Sequence, residues 1–245
     1  LRPSDGSTVP KIKGGQYIGV KVHPDNSDYA AIRQYSLSGK IGEDYLRISR
    51  KAEPLGLVSN YLHQQAIGDE LLLQAPTGIF NLDTQAKKHI IVAGCVGITP
   101  MISMLHEAIQ NQVSGNELLF IQCSRDLEYQ ILTKELSLAQ QEQAFYFKQC
   151  IDNCDKGLVA DHQGYLNQDI IKQCLNESGF EADKNTAVYF CGPLPFMKAQ
   201  NQLFQSLGFA SKHIHYETFG PSASLENEAA NGLSDNNKPS LELSA

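Results

Sequence analysis

The chain has 245 residues, 42% hydrophobic and 19% charged, enough to bury one large core or two smaller ones. Its net charge of −7, with no cluster of lysine or arginine, argues against a nucleic-acid surface and against a patch for anionic membrane. The longest apolar run, Ile90 to Val96, is too short to span a bilayer and already contains Gly94, so the chain reads as soluble.

From Gln16 to Ala75, short β-type runs alternate with Gly, Pro and Asp: Tyr17 to Val22, Ile32 to Leu37, Tyr45 to Lys51 and Glu70 to Gln74. This texture predicts a small antiparallel barrel or sandwich. Among these runs, Pro54 to Gly56 form a turn, and Ser59 is placed to cap a short helix through Asn60, Tyr61, Leu62 and His63. From His89 onward the pattern alternates. Strands are predicted over His89 to Ala93, Glu117 to Cys123, Ala144 to Cys150, Ala187 to Cys191 and His213 to Glu217. Helices are predicted over Thr99 to Gln112, Ile131 to Glu142, Gln168 to Asn176 and Pro193 to Leu207. Such alternation implies a parallel sheet covered on both faces. In the first of these helices Pro100 falls in the first turn, where a missing N–H costs nothing, and Met101, Ile102, Leu105 and Ile109 make an apolar stripe. The expected division is a β domain over residues 1–84 and an α/β domain over 85–221, then an acidic linker or tail over 222–245, rich in Ser, Asn, Glu and Ala.

The six cysteines, at positions 95, 123, 150, 154, 174 and 191, read mostly as buried thiols. Cys150 and Cys154 are the one close pair. Asp152 and Asp155 beside them are a poor match for zinc, so no metal site is expected. Few disulfides and a reducing compartment, the cytoplasm, fit this usage. No signal peptide is visible; the first residue is Leu1 rather than Met, so the start of the chain does not decide targeting.

Three segments carry chemistry. Arg33-Gln34-Tyr35-Ser36 ends a strand with a planar fork of donors for a diphosphate, an aromatic stacking face and a small hydroxyl donor, a set that suits a flavin. Gly94-Cys95-Val96-Gly97-Ile98-Thr99-Pro100 joins an apolar strand to a proline-started helix, so backbone amides and the positive helix end converge where a second diphosphate fits. Its spacing does not match G-x-G-x-x-G, and a ligand-free strand-to-helix turn accounts for these residues equally simply. Cys191-Gly192-Pro193 repeats the arrangement, and two such turns at strand ends are what a ligand crevice in an α/β sheet needs. Gly56 to Asn60 offers further free amides at a helix start, or an ordinary capped helix. A β module and an α/β module, each with a diphosphate site, describe an enzyme moving hydride between nicotinamide and flavin.

The chain resembles the ferredoxin–NADP reductase superfamily, and most of all the reductase half of the flavohemoglobins (nitric oxide dioxygenases). The likeness runs from about Leu1 to Pro221. It is carried by Gly15-Gln16-Tyr17, Arg33 to Ser36, Val58 to His63, Ala75 to Phe80, Gly94 to Met101, Cys191 to Pro193 and His215 to Pro221. The resemblance implies an antiparallel Greek-key β-barrel that binds FAD, followed by a parallel-sheet NAD(P)-binding domain. It implies that Tyr17, Arg33, Gln34, Tyr35 and Ser36 contact FAD, Tyr35 on the ring system and Ser36 near the nitrogen that accepts hydride. Gly56, Leu57, Val58 and Ser59 would hold the FAD diphosphate. Gly94, Cys95, Val96, Gly97, Ile98, Thr99 and Pro100, with Cys191, Gly192 and Pro193, would bind NAD(P)H. Thr218, Phe219, Gly220 and Pro221 would close over the flavin, with Phe219 stacked where nicotinamide enters. Glu217 matches a position that tunes the flavin environment; read without the resemblance it is a strand-end carboxylate in water.

Departures from the family pattern bear on function. Cys95 stands where glycine is usual, adding a side chain beside the expected diphosphate. Leu1 falls in or just after the first expected barrel strand, so a barrel edge is expected to be missing. No haem-binding helices or proximal histidine are evident, so haem chemistry by this chain alone is not expected. Three readings follow: the reductase part of a flavohemoglobin-like nitric oxide dioxygenase, with a haem globin as acceptor; an FAD reductase feeding a [2Fe–2S] domain or protein; and a non-catalytic nucleotide-binding module. Arg125, after the strand ending at Cys123, is placed to hold a 2′-phosphate, whereas the flavohemoglobin likeness favours NADH.

Overall fold

The computed structural model describes residues 1–23, 30–143, 145–153 and 160–219. The first part builds a three-stranded antiparallel sheet in the order β2 (Ala31–Ser36), β1 (Tyr17–Val22), β3 (Leu72–Leu73), with the short helix α1 (Leu57–Gln64) against it. Val20, Val22, Ala31, Val58 and Leu62 form its core.

Tyr45 to Lys51 does not form a ladder. Its backbone is satisfied one bond at a time, Leu46 N donating to Leu1 O and Ser38 N donating to Arg47 O, each at 2.8 Å, with a lone bridge between Leu37 and Ile48. The run from Glu70 to Gln74 pairs over two residues only. Ser59 is inside α1 rather than at its cap: Gly56 holds that position, and the Ser59 hydroxyl donates back to Gly56 O at 3.1 Å.

The second part is a six-stranded parallel sheet in the order β7 (His162–Gln163), β6 (Tyr146–Ile151), β5 (Leu118–Ser124), β4 (Lys88–Gly94), β8 (Thr186–Cys191), β9 (Ile214–Glu217). All of β5 and β8 is buried, as is β4 beyond Lys88, which explains why these strands read as unbroken apolar runs. Alternate residues feed opposite cores. Ile90, Val92, Leu119, Ile121, Val188 and Phe190 meet α4 (Gln168–Ser178) and α5 (Leu194–Ser206) through Ile171, Leu175, Met197 and Phe204. Ile91, Phe120 and Tyr189 meet α2 (Ile98–Gln110) and α3 (Thr133–Glu142) through Met101, Ile102, Leu105 and Leu136. Each of these large side chains contributes roughly 1.5–3 kcal/mol by leaving water. Caps sharpen the helices: Asn167 Oδ1 accepts from Asp169 N and Ile170 N, and Gly179 ends α4 with φ 69°.

From β4 the chain builds outward in one direction through β5, β6 and β7, then crosses back to add β8 and β9 on the other side. That reversal puts a topological switch point between the carboxyl ends of β4 and β8. The two parts are joined by specific contacts. Gly15 N donates to Ser103 Oγ and Gly14 N to Glu107 Oε2, both at 3.0 Å. Gly15 has φ +89°, and a Cβ there would lie 1.9 Å from Phe80 O. Arg47 reaches Glu135 at 2.8 Å, and His106 reaches the same carboxylate oxygen at 2.7 Å.

Candidate functional site

At the switch point β4 ends at Gly94, and Cys95 to Gly97 make one 3-10 turn before α2 begins at Ile98. Pro100 falls in the first turn, as the sequence predicts, and Thr99 Oγ1 donates to Val96 O at 3.2 Å. Ile98 and Thr99 are buried. The turn after β8 lies directly against this one. A Cβ on Gly97 would stand 2.1 Å from Cys191 O, and one on Gly192 would stand 3.0 Å from Gly94 O. Phe196 fills the space beneath: its ring is 2.8 Å from a Cβ built on Gly94 and 2.7 Å from one on Gly192. The glycines at 94, 97 and 192 are therefore required by the contact of the two turns and by the Phe196 ring, whatever approaches from outside. Pro193 is the cap of α5, not its first residue, and Pro195 is the proline within the first turn.

A cleft of about 470 Å³ opens at this edge between the ends of β4, β5 and β6 and the start of α5. Gly94, Cys95, Ser124, Arg125, Pro193 and Gln200 line it. Ser124 Oγ and Gln200 Oε1 are buried there without a hydrogen-bond partner among the described residues. Buried polar atoms are normally paired, so these two are the polar groups of the cleft wall that the described residues leave open. Arg125 is exposed but engaged: its Nε donates to Asp126 Oδ2 at 2.7 Å, and the guanidinium stands 4.6 Å from the Tyr129 ring centre.

In the antiparallel sheet, strand alternation divides the Arg33 to Ser36 run in two: Arg33 and Tyr35 share one face, Gln34 and Ser36 the other. Arg33 is exposed, its Nη1 donating to Ile32 O at 2.8 Å. Tyr35 is half-buried; burial raises its phenol pKa against the opposing pull of Arg33 and Arg50. Ser36 is buried and pairs in register with Tyr17, whose ring lies 3.2 Å from where a Gly78 Cβ would be. At the start of α1 Leu57 is exposed, Gly56 is half-buried, and Val58 and Ser59 are buried; of the amides expected to be free, Gly56 N donates to Glu53 O and Asn60 N to Gly56 O, both at 2.9 Å.

Glu217 closes β9 in register with Cys191 on β8. It is half-buried rather than in water, and burial pushes its carboxyl up to about 7; Oε2 has no hydrogen-bond partner among the described residues. Thr218 is half-buried and Phe219 exposed, whereas Gly220 and Pro221 lie outside the described residues, as do Cys154 and Asp155. Among the described residues no His, Cys, Asp and Glu side chains converge as a metal-ligand set.

Phe196, Gln200 and Ser124 are missing from the sequence-based site. Phe196 sits three residues beyond Pro193, where a helix residue one turn on packs back under its own N-terminus. Gln200 follows it by four and shares that face.

Residues 91–202 match the family of oxidoreductase NAD-binding domains. A flavohemoprotein of Bacillus subtilis is 37% identical over 231 residues, which take in 92% of this chain and 56% of that protein. The chain thus spans about half the length of the curated relatives it matches. The flavohem-like FAD/NAD-binding domain of nitric oxide dioxygenase from Vibrio cholerae superposes with a TM-score of 0.78 at 31% identity, covering 90% of this chain and 91% of that one. Phthalate dioxygenase reductase, described as a modular structure for electron transfer from pyridine nucleotides to [2Fe–2S], shares the fold with a TM-score of 0.71 at 24% identity, covering 91% of this chain and 63% of that one.

Proposed function

The chain belongs to the flavohemoprotein branch of the FAD/NAD-binding reductases, in the ferredoxin–NADP reductase superfamily, and on that premise we propose that it is an NAD(P)H-oxidising FAD reductase. The observation that carries this reading is the cleft at the switch point, where the buried Ser124 Oγ and Gln200 Oε1 have no partner among the described residues. FAD, when bound, supplies the capacity to take hydride as a pair of electrons and release electrons singly. The protein's part is to hold and orient. Arg33 offers an exposed guanidinium for a diphosphate and Tyr35, on the same face, an aromatic surface for a ring; Tyr17 and Ser36 support that strand end, and of Gly56 to Ser59 it is Leu57, Val58 and Ser59 that present the amides opening α1, the Gly56 N–H being taken by Glu53 O. Gly94 to Pro100 and Cys191 to Pro193 receive the coenzyme diphosphate, and Thr218 to Pro221 cover the ring of the flavin.

Glu217, held protonated up to about pH 7 by burial, keeps a proton at the end of β9 beside Cys191. Residues 1–84 are the FAD module, closing as a barrel, and 85–221 the coenzyme module, with 222–245 a linker or tail. The flavohemoprotein likeness favours a haem globin as the acceptor outside this chain. The fold shared with phthalate dioxygenase reductase supports a [2Fe–2S] acceptor as the second reading. NADH is the favoured coenzyme: to bind a 2′-phosphate Arg125 must leave Asp126, and that carboxylate would then repel the phosphate. The test is anaerobic rapid mixing of the FAD-loaded chain with NADH, which is expected to bleach the flavin absorbance band. FAD that binds and does not bleach would leave a non-catalytic nucleotide-binding module.

A further inference from the structure

The cleft at the carboxyl edge of the sheet is lined by sulfur. Cys95, Cys123 and Cys150 all face it, and Cys123 and Cys150 are in-register neighbours on β5 and β6. The neighbouring Cys150 thiol, then burial, pushes the Cys123 thiol well up; burial pushes Cys174 up to about 12 and raises Cys191 strongly. A thiol so held is a poor nucleophile, because the thiolate is the reacting form. Cys95 is different in place: half-exposed at the cleft wall, in a left-handed backbone with φ 50°, one residue past Gly94. The cleft is independently marked for a ligand by Ser124 Oγ and Gln200 Oε1, in residues 7% and 2% exposed, neither with a partner among the described residues.

We propose that Cys95 is a redox-controlled stopper of this cleft, exchanging with a low-molecular-weight disulfide so that the mixed disulfide fills the space where coenzyme approaches the two turns. The proposal rests on the coenzyme reading of the cleft given above. In the exchange the Cys95 thiolate attacks one sulfur of RSSR: the Cys95–S–S–R bond forms, the reagent's S–S bond breaks, and the leaving thiolate takes up the proton that Cys95 released. Among the described residues no second cysteine is placed to resolve the adduct, since Cys123 and Cys150, the other two at the cleft, are both buried. It therefore persists until an external thiol reverses it by the same step.

The test uses the full FAD-loaded chain, oxidised glutathione as probe, peptide mass mapping, and NADH titration of the reduced and modified forms. The adduct is expected on the Cys95 peptide, to form at least about tenfold more slowly with saturating NADH, and to weaken NADH binding by at least about tenfold, reversibly with dithiothreitol. Cys95→Gly, which suits a left-handed backbone, and Cys95→Ser each lose the adduct; each is compared only with its own untreated sample. An adduct confined to other cysteines, or one on Cys95 that leaves NADH affinity within about twofold, overturns the stopper while the coenzyme site stands. A reduced chain that binds no NADH overturns both.

Discussion

Replacing Gly97 by alanine tests whether the two turns depend on backbone contact. Gly97 has φ −60°, a conformation any residue adopts, so the effect is purely steric. The new Cβ would lie 2.1 Å from Cys191 O, 2.3 Å from Cys191 C and 2.6 Å from Gly192 N. All three are backbone atoms with no rotamer to relieve them, and restoring ordinary contact means parting the turns by more than about 1 Å. Overpacking of this kind costs about 1–3 kcal/mol, and the rigidity on both sides puts Gly97→Ala near about 3 kcal/mol. For a chain of this size that lowers Tm by roughly 6–12 °C. Differential scanning calorimetry of the FAD-loaded protein reads the first effect, and NADH titration reads the displacement of the cleft edge, where affinity is expected to fall. Gly192→Ala presses first on the Phe196 ring, at 2.7 Å, and is expected to cost less. A Gly97→Ala protein with unchanged Tm and unchanged NADH affinity would show that the turns are not held by this contact.

Glu217→Gln is expected to flatten the pH dependence of stability between 4.5 and about 7, because the folded carboxyl is raised to about 7 from an ordinary 4.5. The sign follows from linkage: the unfolded chain releases the proton first, so wild-type stability falls as pH rises through that window, by about 2 kcal/mol after allowing for partial exposure; urea unfolding at both ends reads it, and equal slopes in the two proteins would count against a buried carboxyl. Glu135 behaves oppositely. Burial raises its pKa, but the hydrogen bonds from His106 and Arg47 outweigh this and hold it at about 2, so Glu135→Gln is expected to destabilise at pH 7 and to lose that deficit as pH falls from 4.5 towards 2; a deficit constant with pH would refute the ionic role. Arg33→Ala should weaken FAD retention by about 2–3 kcal/mol if the guanidinium meets a phosphate charge, measured by equilibrium dialysis, and unchanged retention assigns Arg33 elsewhere. Asp126→Asn frees Arg125 and should raise kcat/KM for NADPH relative to NADH; an unchanged ratio would remove Arg125 from coenzyme choice.

What was legible along the chain was whatever local physics decides. Ile90 to Ala93 is apolar without alternation because β4 is buried on both faces, and Pro100 marks a helix start because its missing N–H matters only further in. Tyr45 to Lys51 has the composition of a strand and forms none, since its hydrogen bonds go to Leu1 and Ser38, partners that composition does not name. The Arg33 to Ser36 run reads in sequence as one set suited to a flavin, and the strand's period of two divides that set between faces. Glu217 was ambiguous for a similar reason: a strand-end carboxylate is exposed or buried according to the strand beside it, and β8 with Cys191 is that strand. Phe196 shows the limit most sharply. The glycine positions were visible as candidate ligand contacts, but the aromatic ring that makes glycine obligatory at 94 and 192 comes from a helix face meeting two turns 98 residues apart in the chain (192 minus 94). Glycine in such a turn is thus evidence of close packing before it is evidence of a ligand. The ligand argument rests instead on Ser124 and Gln200, whose buried oxygens have no partner among the described residues.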